Sequence, residues 1–239
     1  MNESPESIQR QYYTATADVY DGMHTADDRD EHFVALEFLE MMSTSYGFES
    51  FLDVGSGTGR AVRFLLDKGH TVRGVEPVKA LIEVALARGI PQGIIEEGTG
   101  YHLPFEDNSF DVVLECGVLH HVKDPSDVVT EMMRVARKAV FLSDSNRFGQ
   151  GPYSLRLLKL VLYKLQLWQA AKYLQNGGKM YAISESDGLA YSYSVFDSYE
   201  LLANWARSIV VLPTKADASV KSWLNPLLTA PHVLFCALK

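Results

Sequence analysis

The strongest constraint on the fold is an alternating glycine turn that directly follows a short apolar segment. Residues 51–60 read FLDVGSGTGR. The apolar residues up to Val54 predict a buried strand, and the glycines predict a tight turn into a helix. Because glycine lacks a Cβ, the backbone of such a turn can approach a ligand closely. Open α/β sheets bind ligands at the carboxyl ends of their strands, so this segment predicts a cofactor site.

The spacing of the glycines separates two kinds of cofactor. Dinucleotide sites usually have the pattern Gly-x-Gly-x-x-Gly and turn helix N–H groups toward a diphosphate. Here Gly55, Gly57 and Gly59 alternate, and Asp53 precedes them. A carboxylate at that place repels a diphosphate and attracts an ammonium group. Glu76 ends the next apolar segment, where it can accept hydrogen bonds from both hydroxyls of a ribose. An ammonium group and a ribose without a diphosphate describe S-adenosylmethionine.

The segment from Phe51 to Asp144 resembles the class I S-adenosylmethionine-dependent methyltransferases of the type 11 group. Besides the glycine turn, it contains GTGYHLPF at 98–105, which is similar to the family's adenine-side loop. It also contains NSFDVVLECGVLHHVKDP at 108–125, which is similar to the family's fourth strand and the loop after it. Thr99 stands where the family has an adenine-contacting Asp, and its neutral hydroxyl is a weaker acceptor. The resemblance implies S-adenosylmethionine as cofactor, bound by Asp53, Gly55, Ser56, Gly57, Gly59, Glu76, Pro77, Thr99, Gly100, Tyr101, Cys116, Tyr13 and Tyr20.

Alternating helical and strand patterns follow the glycine turn. Helices are expected at 61–68, 78–88 and 126–136, and strands at 71–75, 93–96, 110–115 and 139–143. This alternation predicts an α/β fold with a parallel sheet and helices on both faces. The resemblance implies a Rossmann-like, doubly wound, mostly parallel sheet of seven strands with an antiparallel C-terminal strand, N-terminal helices and a helical insertion after strand 5. We therefore expect an N-terminal helical cap (1–45), a cofactor-binding core (46–145), an insertion that serves as a substrate lid (146–196), and the closing helix and strands of the core (197–239).

The N-terminal region carries two tyrosines with two open interpretations. In the family that the chain resembles, such segments fold over the cofactor, so Tyr13 or Tyr20 could close the site against the methionine carboxylate. Packing of both rings with their hydroxyls at the surface explains the residues equally well.

The insertion contains a run from Tyr153 to Leu174 that is apolar around most of a helix circumference. No acidic residue occurs between Asp144 and Glu185. Such a helix has to bury its apolar surface. A roof over the active site is the first hypothesis, and pairing with a second copy or contact with a membrane surface stay open. The alternation at 189–196 predicts a strand with Tyr191 and Tyr193 on one face, where they either line a substrate pocket or simply pack.

Candidate catalytic residues follow the fourth predicted strand. Methyl transfer from a sulfonium mainly requires an aligned nucleophile and a site without water. An oxygen or nitrogen acceptor must also lose a proton, and His121, followed by His120, is the candidate general base. A structural role at the start of the loop is the alternative. Asn146 and Arg147, just after strand 5, are candidates for binding the acceptor. No metal site is expected, because neighbouring residues of a helix or strand do not face one point and no Cys-x-x-Cys or His-Glu-x-x-His motif occurs.

Composition limits the partners and the compartment. The 239 residues carry a net charge of −8, which argues against a nucleic-acid partner. Two cysteines argue against a disulfide framework and fit a reducing compartment, and no apolar run reaches the roughly 18 residues that span a bilayer. We expect a cytoplasmic enzyme that methylates an O, N or C nucleophile of a small-molecule or lipid-like metabolite, with peripheral membrane contact and a homodimer left open. A non-catalytic S-adenosylmethionine-binding module and a nicotinamide-dependent oxidoreductase are the alternatives.

Overall fold

The fold is organised around one seven-stranded sheet and a separate hairpin. The structure is a computed structural model that describes residues 4–20, 22, 31–185, 187–215 and 223–239. Its strands are β1 (Ser50–Val54), β2 (Thr71–Glu76), β3 (Ile95–Glu97), β4 (Phe110–Cys116), β5 (Ala136–Ser145), β6 (Tyr181–Ser184), β7 (Gly188–Tyr191), β8 (Ser208–Lys215) and β9 (His232–Leu238).

The strand order of the large sheet is β3-β2-β1-β4-β5-β9-β8. Strands β1 to β5 pair in parallel, and β9 runs antiparallel to both of its neighbours. Strands β6 and β7 form a two-stranded antiparallel hairpin within the insertion. The predicted Rossmann-like sheet with seven strands and an antiparallel C-terminal strand is confirmed.

Helices cover both faces of the sheet. They are α1 (Pro5–Thr16), α2 (Glu31–Tyr46), α3 (Arg60–Asp67), α4 (Lys79–Ala87), α5 (Pro125–Val135), α6 (Tyr153–Lys164), α7 (Trp168–Gln175) and α8 (Tyr199–Trp205). Two consecutive residues of β9 show that the sheet has a hydrophobic core on each face. Phe235 belongs to a core with α5 and α8, whereas Cys236 belongs to a core with α2 and α3. This alternation is the period of two that strands impose on side chains. Among the described residues, no helix combines the length and the apolar character needed to cross a membrane.

The parallel strands bring their carboxyl ends to one edge of the sheet. The register pairs Val54 of β1 with Val75 of β2, and Cys116 of β4 with Ser143 of β5. The loops after β1, β2 and β4 therefore open at this edge, where an open α/β sheet binds its ligand.

The insertion differs from the predicted single helix and strand. The chain breaks between α6 and α7, where Gln166 has a φ of 59° in the left-handed region that ends helices. The predicted strand at 189–196 ends at Tyr191. A 3-10 turn follows from Val195, because Ser194 and Asp197 form a reciprocal capping box that starts a helical turn.

Candidate active site

The glycine turn folds tightly against the end of β2. The backbone N–H groups of Gly55 and Ser56 both donate to the carbonyl oxygen of Val75, at 2.8 and 3.1 Å. Gly55 has a φ of 77°, and a Cβ there would lie 2.4 Å from Cγ2 of Val118. Any side chain at this position would be strained and would displace Val118, so the turn requires glycine.

Glu76 is the carboxylate that faces the ligand space at this turn. Its Oε2 accepts a hydrogen bond from the Gly57 N–H at 2.9 Å, and its Oε1 accepts one from the Val78 N–H at 2.9 Å. Burial raises the pKa of Glu76 to about 7, although the two backbone N–H groups act in the opposite direction. Each carboxylate oxygen keeps a further lone pair. The side chain is therefore held in place and can still accept hydrogen bonds from a diol.

Asp53 is a buried carboxylate with an unused acceptor. Its Oδ2 has no hydrogen-bond partner in the part of the chain that the structure describes. Burial, followed by the charge of Glu76, raises the pKa of Asp53 to about 7. Buried polar atoms without a partner are rare in proteins, and the negative charge of this carboxylate would attract an ammonium group on the other side of the glycine turn.

A cavity at this edge, here named the cofactor cavity, brings together most of the predicted cofactor-binding residues. Helix α1 covers it, and Gln9 and Arg10 of that helix line it although they were not predicted. Tyr191, for which a substrate pocket and plain packing were both open, also lines this cavity. The predicted cofactor residues found in its walls are Tyr13, Tyr20, Gly55, Gly57, Glu76, Pro77, Thr99, Gly100, Tyr101 and Cys116.

Three predicted cofactor residues stand behind the wall. Asp53 and Ser56 are buried, and the Ser56 hydroxyl donates to the Asp53 carbonyl oxygen at 2.9 Å. Gly59 starts α3 with a φ of 81°, and a Cβ there would lie 3.0 Å from the side chain of Ile90. Ser56 and Gly59 thus shape the turn without facing the cavity.

A second cavity adjoins the first. It shares Tyr13, Tyr20, Cys116, Gly117 and His121 with the cofactor cavity. Its remaining walls are mainly polar and include Glu31, His32, His120, Asp187 and His232. Its volume is about 330 Å³. A molecule in this second cavity would meet a molecule in the cofactor cavity across the shared wall.

His120 is held by two carboxylates. Its Nδ1 lies 2.7 Å from Oδ1 of Asp144, and its Nε2 lies 3.4 Å from Oδ2 of Asp187. Asp144 is fixed in turn, because its Oδ2 accepts the N–H of Leu119 at 2.8 Å. Burial alone would lower the pKa of His120, but the charges of Asp144 and Asp187 raise it well above its usual range. The two carboxylates therefore favour the protonated, charged form of His120.

The surroundings of His121 shift its pKa in the opposite direction. Its Nδ1 lies 2.7 Å from the carbonyl oxygen of Leu189 and 3.0 Å from the side-chain Nε2 of Gln9, and its Nε2 lies 2.9 Å from the hydroxyl oxygen of Tyr13. Because the carbonyl oxygen can only accept and is the nearer partner, we assign the proton to Nδ1. Burial, followed by the charge of His120, lowers the pKa of His121. Its Nε2 lone pair is therefore available near neutral pH.

The two histidines converge where we had predicted divergence. The 3-10 turn Leu119–His121 places their rings 4.0 Å apart, and both Nε2 atoms approach the carboxylate of Asp187. One donor atom from each of these three residues lies within 4.8 Å of the others. The expectation that neighbouring histidines face different points was wrong, since it assumed regular helix or strand geometry.

The structure places three predicted substrate residues away from both cavities. The Asn146 side-chain N–H groups donate to the carbonyl oxygens of Leu227 and Ala230, each at 2.8 Å. Arg147 is buried, forms an ion pair with Asp197 and lies against the ring of Trp168. The Tyr193 hydroxyl bonds to that of Ser198 at 2.8 Å. These polar contacts join the insertion to the closing segment 197–239.

Comparisons with known proteins agree with this geometry. Residues 52–143 match the family described as a methyltransferase domain. An uncharacterised methyltransferase of Mycobacterium tuberculosis (strain H37Ra) is 30% identical over 181 residues, which cover 68% of this chain and 71% of that protein. An uncharacterised methyltransferase of Mycobacterium leprae (strain Br4923) is 29% identical over 153 residues, which cover 60% of this chain. The chain spans 57% of the length of that M. leprae relative.

Solved structures show the same fold at low identity. A Thermotoga maritima S-adenosylmethionine-dependent methyltransferase, described as a possible histamine N-methyltransferase, has a TM-score of 0.61 and 17% identity, covering 96% of this chain and 99% of that one. The magnesium protoporphyrin IX methyltransferase of Synechocystis PCC 6803 with bound S-adenosylmethionine has a TM-score of 0.62 and 13% identity, covering 100% and 98%. The glycine turn, the sheet order and the sequence relatives together show that the chain belongs to the class I S-adenosylmethionine-dependent methyltransferases.

Proposed function

We propose that the protein transfers the methyl group of S-adenosylmethionine to an oxygen or nitrogen nucleophile of a small polar metabolite bound in the second cavity. The observation that carries this proposal is the position of His121. It stands in the wall shared by the two cavities, and its lowered pKa keeps it neutral. A base at the boundary between cofactor and acceptor is what proton removal from the acceptor requires.

The cofactor cavity offers suitable groups for each part of the cofactor. Glu76 would accept hydrogen bonds from the ribose hydroxyls with the acceptor positions that its backbone contacts leave open. The unpartnered Oδ2 of Asp53 would balance the ammonium group from behind the glycine turn. When bound, the cofactor supplies a methyl group already activated by its sulfonium. The protein then has to orient the acceptor and exclude water.

His121 would accept the proton that the acceptor loses. The carbonyl oxygen of Leu189 holds the Nδ1–H, so the proton moves to Nε2. For this step the Tyr13 hydroxyl has to give up its contact with Nε2 to the acceptor. The carboxylate of Asp187, 3.4 Å from Nε2, then stabilises the imidazolium. His120 keeps its own proton and holds Asp187 in place.

The walls of the second cavity favour a polar acceptor. His120, Asp187 and His232 offer donors and acceptors at its inner side, and Lys215 pairs with Glu31 at 3.2 Å. A volume of about 330 Å³ suits a metabolite rather than a folded macromolecule. Polar side chains of both signs argue for an acceptor with hydroxyl or amino groups and against an apolar chain in this space.

The test is formation of S-adenosylhomocysteine with a panel of hydroxylated and amino metabolites. The wild-type protein should turn over at least one acceptor, and His121→Gln should lower that rate strongly. His70→Gln is the matched control, because His70 bonds to Glu40, and neither residue lines either cavity. Binding of S-adenosylhomocysteine without turnover across all acceptor classes would favour a binding module instead. Binding of a nicotinamide dinucleotide alone would favour an oxidoreductase.

A further inference from the structure

The insertion exposes an unusual share of the large hydrophobic side chains of the protein. Of the 21 such side chains that are exposed among the described residues, 12 lie between Tyr153 and Ile183. Among these 12 side chains, the most exposed are Leu174 at 79% and Leu165 at 61%. Soluble proteins expose single apolar residues everywhere, but a concentration in one short segment indicates a surface that contacts something else.

Helix α6 turns polar side chains toward the protein and apolar side chains outward. Two of its three cations face the protein. Arg156 is 6% exposed and donates to the carbonyl oxygen of Leu228 at 3.0 Å. Lys159 likewise donates to the carbonyl oxygens of Arg147 and Gln150, at 2.9 and 3.0 Å. The fold therefore uses Arg156 and Lys159 for internal contacts and leaves Lys164 and the leucine side of α6 to the outside.

The exposed side chains form stripes at helical spacing. Leu158, Val161 and Leu165 follow the i, i+3, i+7 pattern of one helix face, and all three are exposed. Leu167 and Leu174, seven residues apart along α7, are also exposed. We name these five residues the leucine stripe. None of the described residues of α6 and α7 lines the cofactor cavity or the second cavity, so these helices do not form the roof that the sequence suggested.

The charges near the leucine stripe indicate which kind of partner it contacts. Lys164, which precedes Leu165 in the chain, and Lys179, five residues after Leu174, are both exposed, and no acidic residue occurs between Asp144 and Glu185. A symmetric contact with a second copy would bring these lysines close to their counterparts without an acid of this segment to pair with. An anionic lipid surface fits both the lysines and the exposed leucines, because lysines pair with lipid headgroups while leucines enter the boundary of the acyl chains.

We propose that the leucine stripe with Lys164 and Lys179 is a docking surface for an anionic membrane. The contact is peripheral, in agreement with the absence of a membrane-spanning helix among the described residues. It leaves the acceptor pocket polar and places the enzyme at a lipid surface. The inference is independent of the proposed reaction, because lipid binding requires neither cofactor nor acceptor.

Vesicle co-sedimentation of the full chain tests this proposal. The wild type should bind vesicles of phosphatidylcholine with about one third phosphatidylglycerol, and bind phosphatidylcholine alone much more weakly. Val161→Glu/Leu165→Glu should lower the partition coefficient on anionic vesicles by at least about tenfold. Lys164→Gln and Lys179→Gln should each lower it about fivefold, with a shallower dependence on salt.

Met41→Glu is the matched control for the apolar substitutions. Met41 is 55% exposed on α2, close to the 52% of Val161, and lies outside the insertion. Its variant should bind anionic vesicles like the wild type, and thermal melting should show all variants folded. No binding of the wild type, or equal losses in the control and the stripe variants, would overturn the proposal. A dimer in sedimentation that Val161→Glu/Leu165→Glu dissociates, without lipid binding, would assign the stripe to a second copy instead.

Discussion

Oε2 of Glu76, at the end of β2, accepts a hydrogen bond from the backbone N–H of Gly57 at 2.9 Å. This contact joins the second strand to the glycine turn of the first, so the carboxylate and the turn form one rigid unit. A charged acceptor makes this bond stronger than a neutral one would. The same carboxylate faces the cofactor cavity, and its orientation is thus set before a ligand arrives.

Cofactor affinity should depend on pH near neutrality. Burial raises the pKa of both Asp53 and Glu76 to about 7, so both carboxyls bind protons below that pH. An ammonium group stabilises the charged form of Asp53, and binding then releases a proton. We expect the affinity for S-adenosylhomocysteine to rise by up to about tenfold in total between pH 6 and pH 8 for each coupled carboxyl, and to level off above the pKa.

Calorimetry in buffers of different ionisation enthalpy checks this proton release. Asp53→Asn should reduce the number of protons released at pH 6.5, since one titrating group is lost. The same affinity and no proton release across this range in the wild type would contradict the coupling.

His121→Gln should lower kcat by about 10²- to 10⁴-fold, the usual contribution of a general base. Since burial and His120 lower the pKa of His121, the wild-type rate should fall only at acidic pH, below the ordinary value of 6.5. Protonation there removes the Nε2 lone pair. The pH profile of kcat should lose this acidic limb in the variant, whereas a purely structural role would lower the rate and leave the limb in place.

Chelation should not change the activity. His120, His121 and Asp187 have donor atoms within 4.8 Å, a spacing that can hold a metal ion. However, two carboxylates raise the pKa of His120 and favour its protonated form, and Nε2 of His121 is in contact with the Tyr13 hydroxyl. Metal ligation needs deprotonated donors. Dialysis against EDTA should therefore leave turnover and melting temperature unchanged, and an activity that only zinc restores would refute this prediction.

The sequence predicted the parts of the site that depend on backbone pattern. The glycine turn, Glu76 and the adenine-side loop could be placed because strand ends of a parallel sheet meet at one edge. Asn146 and Arg147 also follow a strand end, but their side chains bond to Leu227 and Asp197 of the closing segment and line neither cavity. The spacing of residues along the sequence does not show in which direction such a side chain points.

Asp187 shows the second limit of prediction from this sequence. It lies 66 positions after His121, on the turn of the β6–β7 hairpin, and only the tertiary fold brings the two together. An Asp-Gly pair such as that at 187–188 is typical of a turn, but it does not show which residue the Asp side chain contacts. Such a cluster of side chains from distant segments can be predicted only when the packing of the insertion is known. The apolar run indicated that the insertion packs against something, but it did not show in which orientation.

The most direct test of the account is calorimetric titration of S-adenosylhomocysteine into the wild type, Glu76→Gln and the control Glu97→Gln. Glu97 is exposed at the end of β3 and lines neither cavity. We predict that Glu76→Gln loses at least about tenfold in affinity, as expected for a charged acceptor of two hydroxyls, and that Glu97→Gln binds like the wild type. Unchanged affinity in a folded Glu76→Gln variant would contradict the assignment of this cavity to the cofactor.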